Sequence, residues 1–403
     1  MSFLSAAFGR ALSSRNYRLY FAGQLVSLAG TWMQQIAMVW LAWRLSNSAQ
    51  VLGMVGFASQ IPILVLGPFT GVLTDRFDRR RILIATQSIA LLHALGLAAL
   101  TWSNQVSPAW LIGMALVLGC VNALDMPARQ AFSVQLVDNR DDLANAVALN
   151  SILMNAARFV GPALAGIAVA AIGEAWCFVV NAFSYLAVIL ALRAIDARQS
   201  PSSLHASALA AFRDGLGYVL AHTDIRMRLI VVAAISFLVT PYAVLMPLFA
   251  SEIFHGDSRT YGFLIGCAGA GSLVAGLYLA GRKGTAGLSK RTLNAVLVTG
   301  IALAMFAINR QLPAAFGIVM VLGAAVILVI AGSNTLIQVS VADAYRGRVM
   351  AIFSMAFLGI APLGSFTVGH LAHAFGVQPV LFGCGIATMV LGLAARRKLS
   401  PTG

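Results

Sequence analysis

Asp125 and Arg129 stand one helical turn apart in an apolar run, Asn122-Ala-Leu-Asp-Met-Pro127-Ala-Arg-Gln130. Arg158 follows in the next such run, Asn155-Ala-Ala-Arg-Phe-Val-Gly161-Pro162. A carboxylate deep in an apolar span is costly unless it is neutral or paired. The i,i+4 spacing puts Arg129 on the same helix face as Asp125, and Arg158 is expected at similar depth on the neighbouring helix. Two chemistries fit these residues. One is a buried ion pair that locks two spans; the other is a group coupling a proton or a substrate to movement. Two guanidiniums for one acid leave positive charge over, which favours an anionic cargo group over a cationic one. Pro127 is expected to bend its span and free a carbonyl for a guanidinium.

A second charged constellation is Gly71-Val-Leu-Thr-Asp75-Arg76-Phe-Asp78-Arg79-Arg80-Arg81, with six charges in its last seven residues. Membrane-length apolar runs flank it, so it reads as a short loop at a water–lipid boundary. Gly71 permits close approach of another backbone. An anionic Asp75 suits the positive N-terminus of a later helix near Tyr345–Arg348, and Arg76 and Arg79 suit carboxylates or exposed carbonyls. The plainer reading is a basic loop that only sets topology.

The elements that must position these groups follow from composition. The chain has 403 residues, of which 60% are hydrophobic and 10% charged, with a mean hydropathy of +0.86. That is too little charge to cover a water-soluble protein of this size, so the chain is read as an all-α membrane protein. Twelve spans are expected near 17–44, 50–74, 82–102, 109–136, 143–172, 175–194, 227–250, 258–281, 291–309, 313–340, 347–373 and 377–395. A polar stretch divides them six and six. The expected organisation is an N-terminal bundle over 1–195, a linker over 196–224 and a C-terminal bundle over 225–403. Within the linker Leu209, Phe212, Leu216 and Leu220 recur at helical spacing, predicting an amphipathic surface helix. Phe3, Leu4, Phe8 and Leu12 predict a short interfacial helix ahead of the first span.

The net charge of +14 is asymmetric. Of 27 Lys and Arg, only Arg44, Arg259 and Arg310 fall on the side away from the N-terminus, and Arg129 and Arg158 lie within spans. This positive-inside pattern predicts a bacterial inner membrane protein with both termini cytoplasmic, and it explains the charge without nucleic acid. Trp43, Trp102, Trp110 and Trp176 are expected as an aromatic belt at the outer ends. Leu149–Gly173 and Ile352–Gly376 align without a gap, matching Ser151, Gly161, Gly166 and Gly173 to Ser354, Gly364, Gly369 and Gly376. The halves therefore read as diverged copies. In the second half Ile330 and Asn334 stand where the first has Asp125 and Arg129, and the loop Gly276–Arg291 has no carboxylate, so the chemistry belongs to the first half.

The charged loop resembles the signature G-x-L-x-D-R-x-G-R-R of the major facilitator superfamily. Gly71, Leu73, Asp75, Arg76, Arg79 and Arg80 match it, and Asp78 replaces the second glycine. The resemblance implies twelve helices in two pseudo-symmetric six-helix bundles. It also implies an aspartate, here Asp75, that braces the halves when the carrier faces outward. The D-x-P-x-R-Q and N-x-x-R-x-x-G-P runs resemble the exporter subfamily that includes the enterobactin exporter and the transmembrane secretion effectors. Gly161-Pro162 with Gly166 is similar to the span-five motif of antiporters. Relatives in this group often carry an acid near Gly30-Thr31-Trp32, where this chain has Thr31.

By the same resemblance spans one, four, seven and ten line a central cavity. Thr31, Trp32, Gln34, Asn122, Ser236, Thr240 and Gln338 are then the candidate cargo contacts, with polar helix–helix contacts as the competing explanation. His93, in mid-span, reads as a hydrogen-bonded structural histidine. Four single cysteines and the lack of metal-ligand spacing predict neither a disulfide framework nor a metal, and no cofactor is expected. No H-E-x-x-H, G-x-S-x-G or paired-Asp motif suggests an intramembrane enzyme. The expectation is a monomeric, lipid-embedded carrier exporting a siderophore- or drug-like molecule, with proton antiport. An uncoupled or lipid-moving carrier is the alternative, and a channel a more distant one.

Overall fold

The computed structural model describes residues 12–136, 143–195, 208–282 and 284–399; within its helices the side chains at 68, 69, 71–76, 134, 143, 144, 147, 148, 151, 152, 155 and 208–211 are left undescribed. Among the described residues every regular element is helical. In chain order they are α1 Arg15–Ser46, α2 Ala49–Arg76, α3 Arg79–Trp102, α4 Pro108–Gln135 and α5 Leu143–Ala194, then α6 Ala208–Ala221. The second half runs α7 Thr223–Ile253, α8 Ser258–Ala280, α9 Leu288–Ile308, α10 Leu312–Ser340, α11 Asp343–Phe375 and α12 Val377–Lys398.

Eleven of these helices are long and apolar enough to cross a membrane. α5 crosses twice, because Gly173 (φ 79°, ψ 166°) breaks it into two arms. Twelve crossings result. Gly376 joins α11 to α12 with almost the same conformation (φ 88°, ψ 150°) at the position aligned with Gly173. Both turns need a positive φ that glycine adopts without steric cost, so the repeat read from glycine spacing is a repeat of hinges.

Starts of helices follow local polar chemistry. Ser107 accepts a hydrogen bond from the Trp110 amide (3.4 Å) and Pro108 opens α4. Asp257 accepts from the amides of Arg259 (2.9 Å) and Thr260 (3.4 Å) to start α8. These side chains satisfy amides that the first helical turn leaves unpaired.

Some expectations need correction. α7 is interrupted after Leu238 and resumes at Tyr242. Pro241 there has no amide to donate, and the Thr240 hydroxyl turns back to the Ser236 carbonyl. α11 carries a π-helical segment, Met355–Gly359, in place of a uniform α-helix. Trp43 is buried (3% exposed) and packs in the core, whereas Trp102, Trp110 and Trp176 stand half exposed. Trp102 and Trp176 meet edge to face at 5.2 Å.

The linker helix α6 docks by a face other than the one its leucines suggest. Gly215 and Val219 are buried, while Leu216 and Leu220 point outward. Gly215 lies against the Cβ of Arg348, and Tyr218 stacks on Tyr345 at 4.5 Å, both partners being at the start of α11. Leu209 lies outside the described side chains, as Phe3, Leu4 and Phe8 lie outside the described residues.

The two groups of helices meet along two glycine-lined seams, both at the end of the molecule away from the basic loops. We call this the far side. At one seam α2 crosses α11, where a Cβ on Gly369 would stand 2.7 Å from the Gly53 Cα. At the other the first arm of α5 crosses α8, where a Cβ on Gly262 would stand 2.9 Å from the Gly166 Cα. Membrane helices gain no hydrophobic driving force from one another, so close backbone packing of small residues supplies the contact. Gly166 and Gly369 are aligned positions of the repeat, and the seams are pseudo-symmetric.

Candidate transport site

Asp125 is the centre of a buried polar hub. Its Oδ1 accepts from the Thr86 hydroxyl (2.8 Å) and the Gln87 amide (2.8 Å), both on α3. Its Oδ2 accepts from Nε (2.8 Å) and an Nη (2.5 Å) of Arg129, one turn along α4. The remaining Nη of Arg129 donates to Gln24 on α1. The hub thus ties α1, α3 and α4, and the carboxylate is only 5% exposed. Four donors compensate the cost of removing it from water.

The structure pairs Asp125 with Arg129 but does not bring Arg158 to them. Among the described residues Arg158 makes no hydrogen bond or ion pair. The expected lock between the fourth and fifth spans is a lock among the first, third and fourth. Thr86, Gln87 and Gln24 were the missed partners; their signal was a polar side chain in an otherwise apolar stretch.

The basic-side loop is shorter than its charges suggest. α2 continues through Arg76 and α3 begins at Arg79, leaving Phe77 and Asp78 as the connection. Asp78 is the N-cap of α3 and accepts from the Arg81 amide at 3.0 Å. Its place in the loop is therefore local, and the preference of aspartate for N-caps was the signal. Arg80 donates through Nε to the Leu192 carbonyl (2.6 Å) and through an Nη to the Arg193 carbonyl (2.6 Å). It caps the end of the second arm of α5, where carbonyls lack helical partners and the dipole is negative. Arg79 is engaged as well. The side chains of Gly71, Asp75 and Arg76 are outside the described set. At the start of α11 Arg348 pairs with Asp214 of α6 and lies over the Tyr345 ring at 5.3 Å.

The corresponding loop of the second half uses a phenol where the first has acids. The Tyr278 hydroxyl accepts from both Arg282 and Arg291, whose guanidinium carbons each lie 5.8 Å from its ring centre. Cation–π attraction holds two arginines here without a carboxylate.

Three helices show where the halves part. Along one face of α4 Leu111, Ala115 and Gly119 are buried, while Asn122, Met126 and Gln130, continuing that face toward the basic side, are exposed. Along α11 Pro362, Ser365 and Gly369 are buried, while Ala351, Ser354, Met355 and Leu358 on the same face are exposed. Along the first arm of α5 Pro162, Ala165 and Val169 are buried and Arg158 is exposed. The structure is closed at the far side and open to the basic side.

This cavity sorts the candidate contacts. Thr31 is exposed on α1 and hydrogen-bonds Tyr185 of the second arm of α5, while Trp32 packs over Gly161 of the first arm. Asn122 is exposed on α4 and Thr240 is half-buried on α7. Three others are placed differently. Gln34 is 1% exposed and accepts from the Asn181 amide (2.7 Å) while donating to His93 Nδ1 (3.4 Å). Ser236 is fully buried. Gln338 lies two residues from the basic-side end of α10, bound to Asn334 (2.5 Å), at the rim of the opening. Polar helix–helix packing claims Gln34, because spans one, three and six have no other way to satisfy its amide.

His93 completes that network. Its Nε2 is 2.9 Å from the Met114 carbonyl, which can only accept, so Nε2 carries the hydrogen and Nδ1 is the acceptor for Gln34. On the far side Gln50 of α2 meets Nε2 of His370 on α11 at 3.0 Å, across the two halves. Trp40 of α1 stacks on Tyr261 of α8, with ring centres 6.3 Å apart. Among the described residues no cluster of His, Cys, Asp or Glu could hold a metal ion.

Twelve crossings in two pseudo-symmetric bundles, sealed at one side around a polar cavity open at the other, define a membrane transporter of the major facilitator type. The model of the transmembrane secretion effector family matches residues 7–402, and the chain belongs to that family. It is 26% identical over 375 residues to the staphyloferrin A transporter of Staphylococcus aureus, covering 93% of this chain and 94% of that one. It is 24% identical over 386 residues to the multidrug efflux pump Tap of Mycobacterium bovis, covering 93% and 91%. Among solved structures, a variant of the nucleoside transporter NupG superposes with a TM-score of 0.75 at 14% identity, over 95% of this chain and all of that one. The relatives are transporters, not enzymes.

Proposed function

We propose that this chain exports a small amphiphilic organic molecule, siderophore- or drug-like, across a bacterial inner membrane by alternating access with proton antiport. The observation that carries the reading is the change from buried to exposed along α4, α5 and α11. With the basic side taken as cytoplasmic, this is the state that loads cargo from the cell interior. The names of the relatives, a siderophore transporter and a multidrug efflux pump, support the cargo class. Both termini are then cytoplasmic, and a single chain suffices for the cycle.

Asp125 is the proposed coupling group. It sits behind Arg129, so a proton reaching it must displace the guanidinium, and protonation releases Arg129 toward the cavity. Gln87 supports the assignment: its Nε2 donates to Asp125, while its buried Oε1 has no partner among the described residues. A half-turn of that amide would turn a donor to the carboxylate into an acceptor for the protonated acid. Asp75 is the proposed brace of the opposite state, set against the start of α11 when the cytoplasmic side closes.

The test is accumulation of siderophores and antibiotics in inside-out vesicles with an acidic lumen. Wild-type vesicles should accumulate at least one of these compounds and lose it when the gradient is collapsed. Accumulation indifferent to the gradient would remove the antiport clause, and ohmic current in a planar bilayer would remove the carrier.

A further inference from the structure

Arg158 is a cation inside a membrane span with no counter-ion among the described residues. Among the described residues the carboxylate deep inside a membrane span is Asp125, and Arg129 occupies it with two hydrogen bonds. Among the described residues no acid or polar side chain is bonded to Arg158. A guanidinium is not relieved by losing its proton, so an unpaired one in this setting awaits an anion from outside the protein.

The fold says where that anion would arrive. On the first arm of α5, Gly161 faces Trp32 of α1, and Gly166 faces Gly262 of α8. Arg158 projects between those two directions, into the space enclosed by the halves. On the same face Pro162, Ala165 (0% exposed) and Val169 (5%) are sealed toward the far side. Arg158 is thus the first open residue below the closed seam, at the apex of the cavity. It is surrounded by protein yet reached by water. Its own carbonyl and Phe159 lie against Gly269 of α8, so its backbone belongs to the seam that must part when the carrier turns.

We infer that Arg158 is the cargo-anchoring residue and that the exported molecule carries a carboxylate, received at the cavity apex by this guanidinium. This rests on the carrier reading above and deepens it by assigning a cargo chemistry. A planar guanidinium binds a carboxylate through two parallel hydrogen bonds, a geometry lysine cannot reproduce. Trp32, packed over Gly161 about one turn along α5, supplies apolar surface for the body of an amphiphile. Because the anchor touches the seam, occupancy is felt where α5 and α8 separate.

The test is binding, measured by titration calorimetry on protein in lipid nanodiscs with three probes of one shape: 2-naphthoate, 2-naphthamide and 2-naphthylmethylammonium. Wild type should bind the carboxylate about tenfold more tightly than either companion. Arg158→Gln should bring the carboxylate to the level of the amide. Arg158→Lys should keep part of the preference, and Arg259→Gln, a charge removed at the far side, should keep all of it. Equal binding of the three probes to wild type, or a preference that survives Arg158→Gln, would overturn the inference. A preference abolished equally by Arg259→Gln would reduce it to general positive potential and would also overturn it. Binding needs no turnover, so a failed vesicle assay counts against the carrier reading and leaves this assignment standing or falling separately.

Discussion

Gly53 of α2 and Gly369 of α11 bring two backbones together from opposite halves, so closely that a Cβ on Gly369 would stand 2.7 Å from the Gly53 Cα. The seam excludes side chains and holds the far side shut. A valine at 369 cannot be accommodated unless the helices part, since the obstacle is backbone rather than a movable side chain. Gly369→Val should therefore shift the population toward the far-side-open state. Spin labels at Leu45 and Phe375 should report a longer distance population than in wild type. An unchanged distance distribution in a folded variant would show that the seam does not control the gate.

Asp125→Asn leaves Arg129 without its counter-charge. Breaking a buried pair costs about 3–5 kcal/mol, and the partial exposure of Arg129 places this case toward about 3 kcal/mol. The double variant Asp125→Asn/Arg129→Gln should recover part of that stability in thermal melts, because no unpaired charge remains. Gradient-driven accumulation should be lost in both. Recovery of transport together with stability would assign the pair a purely structural role.

Arg80→Gln removes two charge-assisted hydrogen bonds from the carbonyls of Leu192 and Arg193. A loss of about 1.5 kcal/mol in stability is expected, with cargo affinity unchanged. Calorimetric unfolding beside probe binding separates the two. Weakened binding without destabilisation would place Arg80 in the cargo path instead.

His93→Leu strands the Gln34 amide and removes a second donor from the Met114 carbonyl, at a cost of about 1–3 kcal/mol. The pH dependence of transport should keep its shape, since the network that holds His93 is already satisfied by the neutral ring. An altered pH profile would make the histidine part of proton coupling.

Asp75→Asn should slow turnover and enrich the inward-open state while leaving the fold intact. Single-turnover efflux and the Leu45–Phe375 distance together check it, and wild-type values in both would remove the brace.

Much of the architecture is written in local chemistry. Helix number follows from runs of apolar residues that have no alternative in lipid, and the twofold repeat from glycines whose spacing recurs. Gly173 and Gly376 show why that worked: a positive φ is a demand on one residue, and it leaves a mark in the sequence. The Asp125–Arg129 pair was legible for the same reason, because four residues along one helix fix its geometry.

What lay beyond the sequence depends on which helix stands next to which. Arg158 has the same residue type as Arg129, yet the crossing of α5 with α8 turns it into the cavity, away from Asp125. Gln34 and Thr31 are three residues apart on α1, but one is buried against His93 and Asn181 and the other is exposed beside Tyr185. The glycine seams and the open side are likewise properties of two halves packed at one of two ends. The sequence by itself determined a twelve-span membrane transporter with an acid set inside its fourth span. Only the tertiary structure decided that Arg158 stands apart from that acid and that Thr86, Gln87 and Gln24 complete its shell, because pairing across helices is set by rotation and tilt, which packing chooses and no local pattern records.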